Sequence, residues 1–185
     1  MLSYNSIIND SIKHSNLTIS EVEPIIKINL RGKKRDFITK IGKYLSILPP
    51  TESNTSSSNE NLNLLWLSPD EWMLYTSEKT NSKNDIYKLE DELFKEISKV
   101  NYGSVTNITD HWVMINLKGE KVFELLSTSC PFNFNNFKTN KGSVVQTVFN
   151  HMDVIIHHKN INDLNLFVRR SFSNHLFSWI KDAAS

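Results

Sequence analysis

The chain has 185 residues with 21 Lys+Arg against 20 Asp+Glu, a formal net charge of +1. Such a balance excludes a protein whose main work is to grip a phosphate backbone, because that needs a clustered basic face, so no nucleic-acid partner is expected. A hydrophobic fraction of 39%, charged residues at 22% and a single cysteine, Cys130, describe a globular chain that holds its core without an intramolecular disulfide.

Residues 1–18 are polar with scattered Ile and Leu and read as an N-terminal arm or short helix. The first ten residues have no basic stretch, apolar run or small-residue cleavage site of a secretory signal. No apolar cluster approaches the ~20 residues of a membrane span. A cytoplasmic, membrane-free protein is therefore expected. From Val22 to Arg31, Ile26, Ile28 and Leu30 alternate at period two, the pattern of a half-buried strand that Gly32 breaks. Asp36 is placed to cap a helix carrying Phe37, Ile38, Ile41 and Leu45 on one face, and Pro49-Pro50 stop it. The Ser/Asn-rich stretch 51–61 has little to bury and reads as a flexible surface loop. It is too short for an interdomain linker, so a single domain over 19–185 follows the arm.

Leu62 to Leu67 and Trp72 to Thr76 form a hairpin around the turn Ser68-Pro69-Asp70-Glu71, with Trp66 and Trp72 near its closed end. Asp85 to Val100 is a helix with Ile86, Leu89, Leu93, Ile97 and Val100 on its apolar face. Two strands, Val105 to Ile108 and Trp112 to Leu117, flank Thr109-Asp110-His111. A short helix with Val122, Phe123, Leu125 and Leu126 ends at Ser129-Cys130-Pro131, and Phe132, Phe134 and Phe137 anchor the loop that follows. Val144 to Phe149, Val154 to His158 and Leu164 to Val168 are strands. A last helix from Ser171 to Ala184 turns Phe172, Leu176, Trp179, Ile180 and Ala183 to one side. Helices mixed with adjacent antiparallel strands give an α+β fold: a mainly antiparallel sheet with helices packed on it.

Chemistry-bearing patterns are few. The five glycines assemble neither GxGxxG nor GxxxxGK[ST], and one cysteine without HExxH forms no zinc motif. His151 and Asp153 share a strand face, which permits a metal pair; the plainer reading makes His151, His157 and His158 strand-end residues. Cys130 lies at a helix C-terminus, whose partial negative charge raises a thiol pKa, so a buried structural cysteine is expected rather than a nucleophile. Asp110-His111 has the composition of an acid–base pair, yet neighbours on a strand point to opposite faces, and a turn histidine is the better fit. Arg169-Arg170, where the last strand feeds the last helix, requires one guanidinium to point inward or towards a neighbour. By spacing Trp66, Trp72, Trp112 and Trp179 are mostly core residues, but Trp and Arg are also enriched at interface hot spots, which leaves room for some of them to face another subunit.

Three strings resemble one family, the gamma subunit of heterotetrameric sarcosine oxidase. They are Ile28-Asn29-Leu30-Arg31-Gly32 with Phe37 and Leu48-Pro49-Pro50; Leu65-Trp66-Leu67-Ser68-Pro69-Asp70-Glu71-Trp72-Met73-Leu74, similar to LWLGPDEWLL; and Val168-Arg169-Arg170-Ser171-Phe172 through Trp179-Ile180-Lys181-Asp182-Ala183, similar to VxRSFAxYLWxWLxDA. Cys130-Pro131 and Gln146-Thr147 match a CP and a QT between them. The departures are Ser68 for Gly, Asn133-Phe134 for Asp-Leu, and a longer polar loop. The resemblance, over about residues 20–184, implies a fold like the folate-binding domain of aminomethyltransferases. It also implies a non-catalytic subunit, partnered by alpha, beta and delta subunits, of an enzyme that demethylates sarcosine to glycine. FAD, FMN, NAD and tetrahydrofolate are then expected in the partner subunits and no cofactor in this chain. Arg31, Trp72, Arg169 and Arg170 are the candidate subunit-interface residues. Two other readings are a subunit of a dehydrogenase for another N-methylated amino acid, such as N-methylglutamate, and a stand-alone folate-binding aminomethyltransferase-like protein. A small hydrolase using Cys130 is the weakest.

Overall fold

The computed structural model describes residues 6–8, 10–77, 83–99 and 103–184. Alternating burial sets up the first strands. Ile12, Leu17 and Ile19 are buried between polar neighbours, and Ser11–His14 (β1) folds back antiparallel on Leu17–Glu21 (β2). The stretch read as an arm or short helix thus holds the first strand of a hairpin, its turn and the first two residues of the second strand. Its alternation is two residues deep and easily lost in a polar context.

The chain forms two compact units, one from residues 1–24 with 110–185 and the other from 25–109. In the second unit, Lys27–Arg31 (β3) leads into Arg35–Leu45 (α1), which buries Phe37, Ile41 and Leu45. Asp36 does not cap this helix: Lys34 occupies the cap, and the carboxylate sits in the first turn, where the helix dipole favours it. The helix ends before the prolines, because Ser46 adopts a left-handed conformation (φ 53°) and donates its N–H to the Gly42 carbonyl.

The 51–61 segment is not a plain loop. Ser56–Ser58 (β4) pairs with Leu62–Ser68 (β5), and Asn59 Oδ1 accepts the N–H groups of Asn61 and Leu62 to close the tight turn between them. Serine can stand at a sheet edge because the ladder uses backbone groups and leaves one face in water. Glu71–Thr76 (β6) completes the expected hairpin, with Trp66 opposite Trp72 and a bulge beyond them. Lys83–Ser98 (α2) buries Leu93 and Ile97 and leads to Ser104–Asn107 (β7). Val100 and the side chain of Ile86, read as part of this helix's apolar face, lie outside the described residues. The sheet order is β4-β5-β6-β3-β7 with every pair antiparallel, a split β-α-β plan with an added edge strand.

The other unit continues with Trp112–Lys118 (β8), Val122–Ser127 (α3), Val144–Phe149 (β9), Met152–Asn160 (β10), Asp163–Arg169 (β11) and Ser173–Ala184 (α4). Its six strands run β1-β2-β8-β11-β10-β9, again antiparallel throughout. One face carries Ile19, Ile115, Val154, Ile156, Leu166 and Val168 into a core shared with Leu125, Leu126, Leu176 and Ile180 of the helices. Phe134 and Phe137 anchor the loop between α3 and β9 as expected. In α4 the inward residues are Leu176, Phe177 and Ile180; Trp179 and Phe172, expected inside, are 41% and 46% exposed.

The α+β class with antiparallel pairing is as read, but the strands sort into two sheets. Helices do not simply leave the opposite faces to solvent, since Met114, Ile155 and Phe167 in one sheet and Met73 and Tyr75 in the other are also buried. Among the described residues no helix is long and apolar enough to cross a membrane.

Candidate functional site

The residues singled out from sequence fall into two places, one in each unit. In the 25–109 unit the β3–β6 register sets Arg31 opposite Glu71, with Arg31 Nη2 3.9 Å from Glu71 Oε2. Asn29 Nδ2 donates to the other Glu71 oxygen at 2.7 Å, and Lys33 Nζ lies 3.7 Å from Asp70 Oδ2. A bond from the Ser68 hydroxyl, 2.8 Å from Asp70 Oδ1, holds the Asp70 carboxyl below the ordinary carboxylate range, assisted by the Lys33 and Arg31 charges. The Gly32 N–H donates to the Asp70 carbonyl at 2.9 Å and ties the two strings together.

Beneath this charged rim lies a packing device. The Phe37 ring sits against Gly32 and Gly103, where an added Cβ would come within 2.6 and 2.2 Å of ring carbons. Trp72 packs 6.2 Å from Phe37 by ring centroid, and its Nε1 donates to the Pro50 carbonyl at 2.8 Å. At 2% exposure Trp72 is a core side chain, and its one polar atom is satisfied inside the unit. Arg31 remains a surface residue, with its side chain 59% exposed.

The second place lies at one end of the β8–β11 ladder. Antiparallel pairing brings Arg169 opposite Trp112, and the Arg170 N–H donates to the His111 carbonyl at 2.9 Å. Arg169 Nη1 approaches His111 Nε2 at 2.9 Å while its guanidinium carbon stands 5.7 Å from the Trp112 ring centroid, within cation–π range. Arg170 Nη1 is 3.9 Å from Asp110 Oδ1. Neither arginine points inward: both are exposed and turn towards neighbours of the same unit, Arg169 to His111 and Trp112 and Arg170 to Asp110. Sequence reasoning set Asp110-His111 and Arg169-Arg170 apart, because only the strand register joins residues 58 positions distant.

The remaining candidates have structural roles. Burial pushes the Cys130 thiol up to about 12, unsuited to nucleophilic attack. His151 follows Asn150 in the two-residue turn between β9 and β10, both with positive φ (66° and 44°), as such hairpins require. His158 is enclosed by the Phe123 and Phe137 rings, and its Nδ1 is 2.9 Å from the Asn140 carbonyl oxygen. Trp179 Nε1 donates to the Ser129 hydroxyl at 2.9 Å. Among the described residues no three His, Cys, Asp or Glu side chains gather in a metal-binding group.

Curated proteins give no sequence match. The fold matches a chain of the heterotetrameric sarcosine oxidase from Corynebacterium sp. U-96, solved in complex with pyrrole 2-carboxylate, with a TM-score of 0.81 at 19% identity over 94% of this chain and 86% of that one. It also matches the glycine cleavage system aminomethyltransferase T from Bartonella henselae, with a TM-score of 0.64 at 13% identity over 89% of this chain. That second match covers only 45% of the aminomethyltransferase, so this chain spans less than half its length. The model of the sarcosine oxidase gamma subunit family matches residues 35–185, taking in the Trp72 hairpin, Cys130-Pro131 and the Arg169–Trp179 string, and the chain belongs to that family.

Proposed function

We propose that this chain is a non-catalytic structural and assembly subunit of a cytoplasmic, heterotetrameric, flavin-dependent sarcosine oxidase. In this reading the partners are alpha, beta and delta subunits, FAD, FMN, NAD and tetrahydrofolate belong to alpha and beta, and the enzyme demethylates sarcosine to glycine with tetrahydrofolate as one-carbon acceptor. The observation that carries the reading is the coincidence of family and length: the family model covers 35–185, and the fold spans 86% of a chain of a heterotetrameric sarcosine oxidase. The chemistry of the side chains is compatible with it. Cys130 is buried, Trp72 and Trp179 bond to neighbouring chain atoms, and Asp110 and His111 lie against Arg170 and Arg169.

The likeness to aminomethyltransferase T favours a second reading, a stand-alone folate-binding protein. The two separate on one experiment. The tagged chain is co-expressed with alpha- and beta-like subunits, and the absorption spectrum of the retrieved material is recorded. A stoichiometric yellow complex that oxidises sarcosine, with a colourless chain alone, is the expected result. Oxidation of a different N-methylated amino acid would keep the assembly role and change the substrate. A chain that ignores those subunits and binds a folate would overturn the assembly reading.

A further inference from the structure

The two charged clusters differ in how their charges are met. Around β3 and the β5–β6 turn, Arg31 faces Glu71 and Lys33 faces Asp70, so each cation there has its own carboxylate. At the β8–β11 end, Arg169 meets a His111 ring nitrogen and an indole face, and among the described residues Arg170 pairs with the Asp110 carboxylate at 3.9 Å. Asp110, His111, Trp112, Arg169 and Arg170 together therefore hold two cations against one anion. In the single turn Arg170–Phe172 that follows β11, Phe172 is 46% exposed and Arg170 keeps 42% of its side chain in solvent.

The cluster is held firmly. Its residues sit at the ends of β8 and β11, paired in register from Asp163↔Lys118 to Arg169↔Trp112 inside the six-stranded sheet. The Ser173 hydroxyl donates to the Arg170 carbonyl at 2.9 Å and fixes the start of the last helix. A guanidinium stacked on an indole is already oriented, so little side-chain freedom is lost when a partner engages it.

We propose that this surface docks a larger partner subunit through a segment presenting a carboxylate beside an apolar side chain. The carboxylate takes the two-pronged face of Arg169, supported by Arg170, and the apolar group rests on Phe172 and the rim of Trp112. A carboxylate fits because it matches the guanidinium fork and supplies the negative charge the cluster lacks. An exposed aromatic beside an oriented arginine is the composition of an interface anchor. This inference rests on the assembly reading and adds to it the site and the chemistry of the contact.

The test uses the whole chain with the alpha- and beta-like subunits. Affinity is measured for the natural sequence and for Arg169→Gln, Arg169→Lys and Arg170→Gln, with melting curves and circular dichroism of each isolated chain as a folding control. Arg169→Gln is expected to weaken association by about tenfold or more with an unchanged melt, and Arg169→Lys, which keeps charge but loses fork and stacking, to fall between. Should Arg169→Gln fail to fold, the exposed Arg170→Gln and the salt dependence of the unmodified complex decide: both a loss of affinity and weakening with added salt are required. A natural chain that assembles while all three variants assemble equally well overturns this contact and leaves the assembly reading intact. A natural chain that does not assemble overturns both.

Discussion

Two histidines occupy successive positions on β10 with opposite surroundings. His158 faces the helix side, where Phe137 stacks on it at 5.5 Å and its Nε2 has no hydrogen-bond partner among the described residues. His157 faces the other way, opposite Asn165 of β11, and is 2% exposed. Burial, with His158 and Lys159 adding like charge, pushes the His157 pKa down from 6.5 to about 3. Folding therefore disfavours the protonated ring. The stability that this neutral ring permits is complete above pH 6.5 and is lost as pH falls towards 3, by up to about 1.4 kcal/mol per pH unit. Urea unfolding across that range should show stability dropping towards acid, and His157→Gln should flatten the slope whatever it does at neutral pH. Parallel slopes for the two proteins would assign the acid limb to other groups.

At the scale of elements, the sequence strings that carried the family resemblance turn out to be joints. Arg31-Gly32, Phe37, Pro49-Pro50 and Asp70-Glu71-Trp72 come from four stretches of chain and close one corner of the 25–109 unit. Gly103 matters to that corner by its lack of a side chain: an added Cβ would lie 2.2 Å from a Phe37 ring carbon and 2.6 Å from the Arg31 carbonyl oxygen. Gly103→Ala should destabilise the protein by about 1–3 kcal/mol, read as a lower urea midpoint. A Phe37→Leu background should shrink the penalty, since part of the clash is with the ring. Equal penalties in both backgrounds would place the strain in the backbone alone. These joints also show what local pattern can and cannot reveal. Helix α1, helix α2 and the β5–β6 hairpin were legible because their apolar spacing and turn residues lie within one window. The burial of Trp72 was not, because it depends on Phe37 and the Pro50 carbonyl. The inward turn of Phe177 in place of Trp179 was missed as well: both positions suit a face carrying Leu176 and Ile180, and the spacing alone does not choose between them. The candidate surface at Arg169 and Arg170 was visible as two cations, whereas its other half, Asp110-His111-Trp112, needed the β8–β11 register.

At the scale of the whole molecule, the first residues belong with the last. The β1–β2 hairpin covers one edge of β8, with Ser20 opposite Asn116 and Glu21 opposite Ile115, and buries Ile12, Leu17 and Ile19 in the core that α4 also fills. Asp10 reaches Lys181 of α4 at 2.7 Å; with both side chains more than half exposed, that ion pair adds little to stability. The weight rests on apolar burial and on the ladder. Deleting residues 1–21 would strip β8 of its neighbour, leave an open strand edge beside uncovered isoleucines and leucines, and favour pairing between molecules. Hydrogen exchange on the truncated chain should show amides of β8, β11 and β10 losing protection while those of β3, β5 and β6 keep theirs, because the 25–109 unit has its own sheet and helices. Loss of protection spread evenly over both sheets would mean that the two units unfold as one cooperative block. Unchanged exchange in β8 would mean that the hairpin is an attachment rather than part of the sheet. The partition into two units could not be read along the chain, since a unit assembled from residues 1–24 and 110–185 leaves no local mark at either seam. What the sequence does carry is the polar Ser15-Asn16 turn between β1 and β2, and Gly119, whose φ of 132° and close approach to the Asn16 carbonyl, 2.2 Å from an added Cβ, seat that turn against the end of β8.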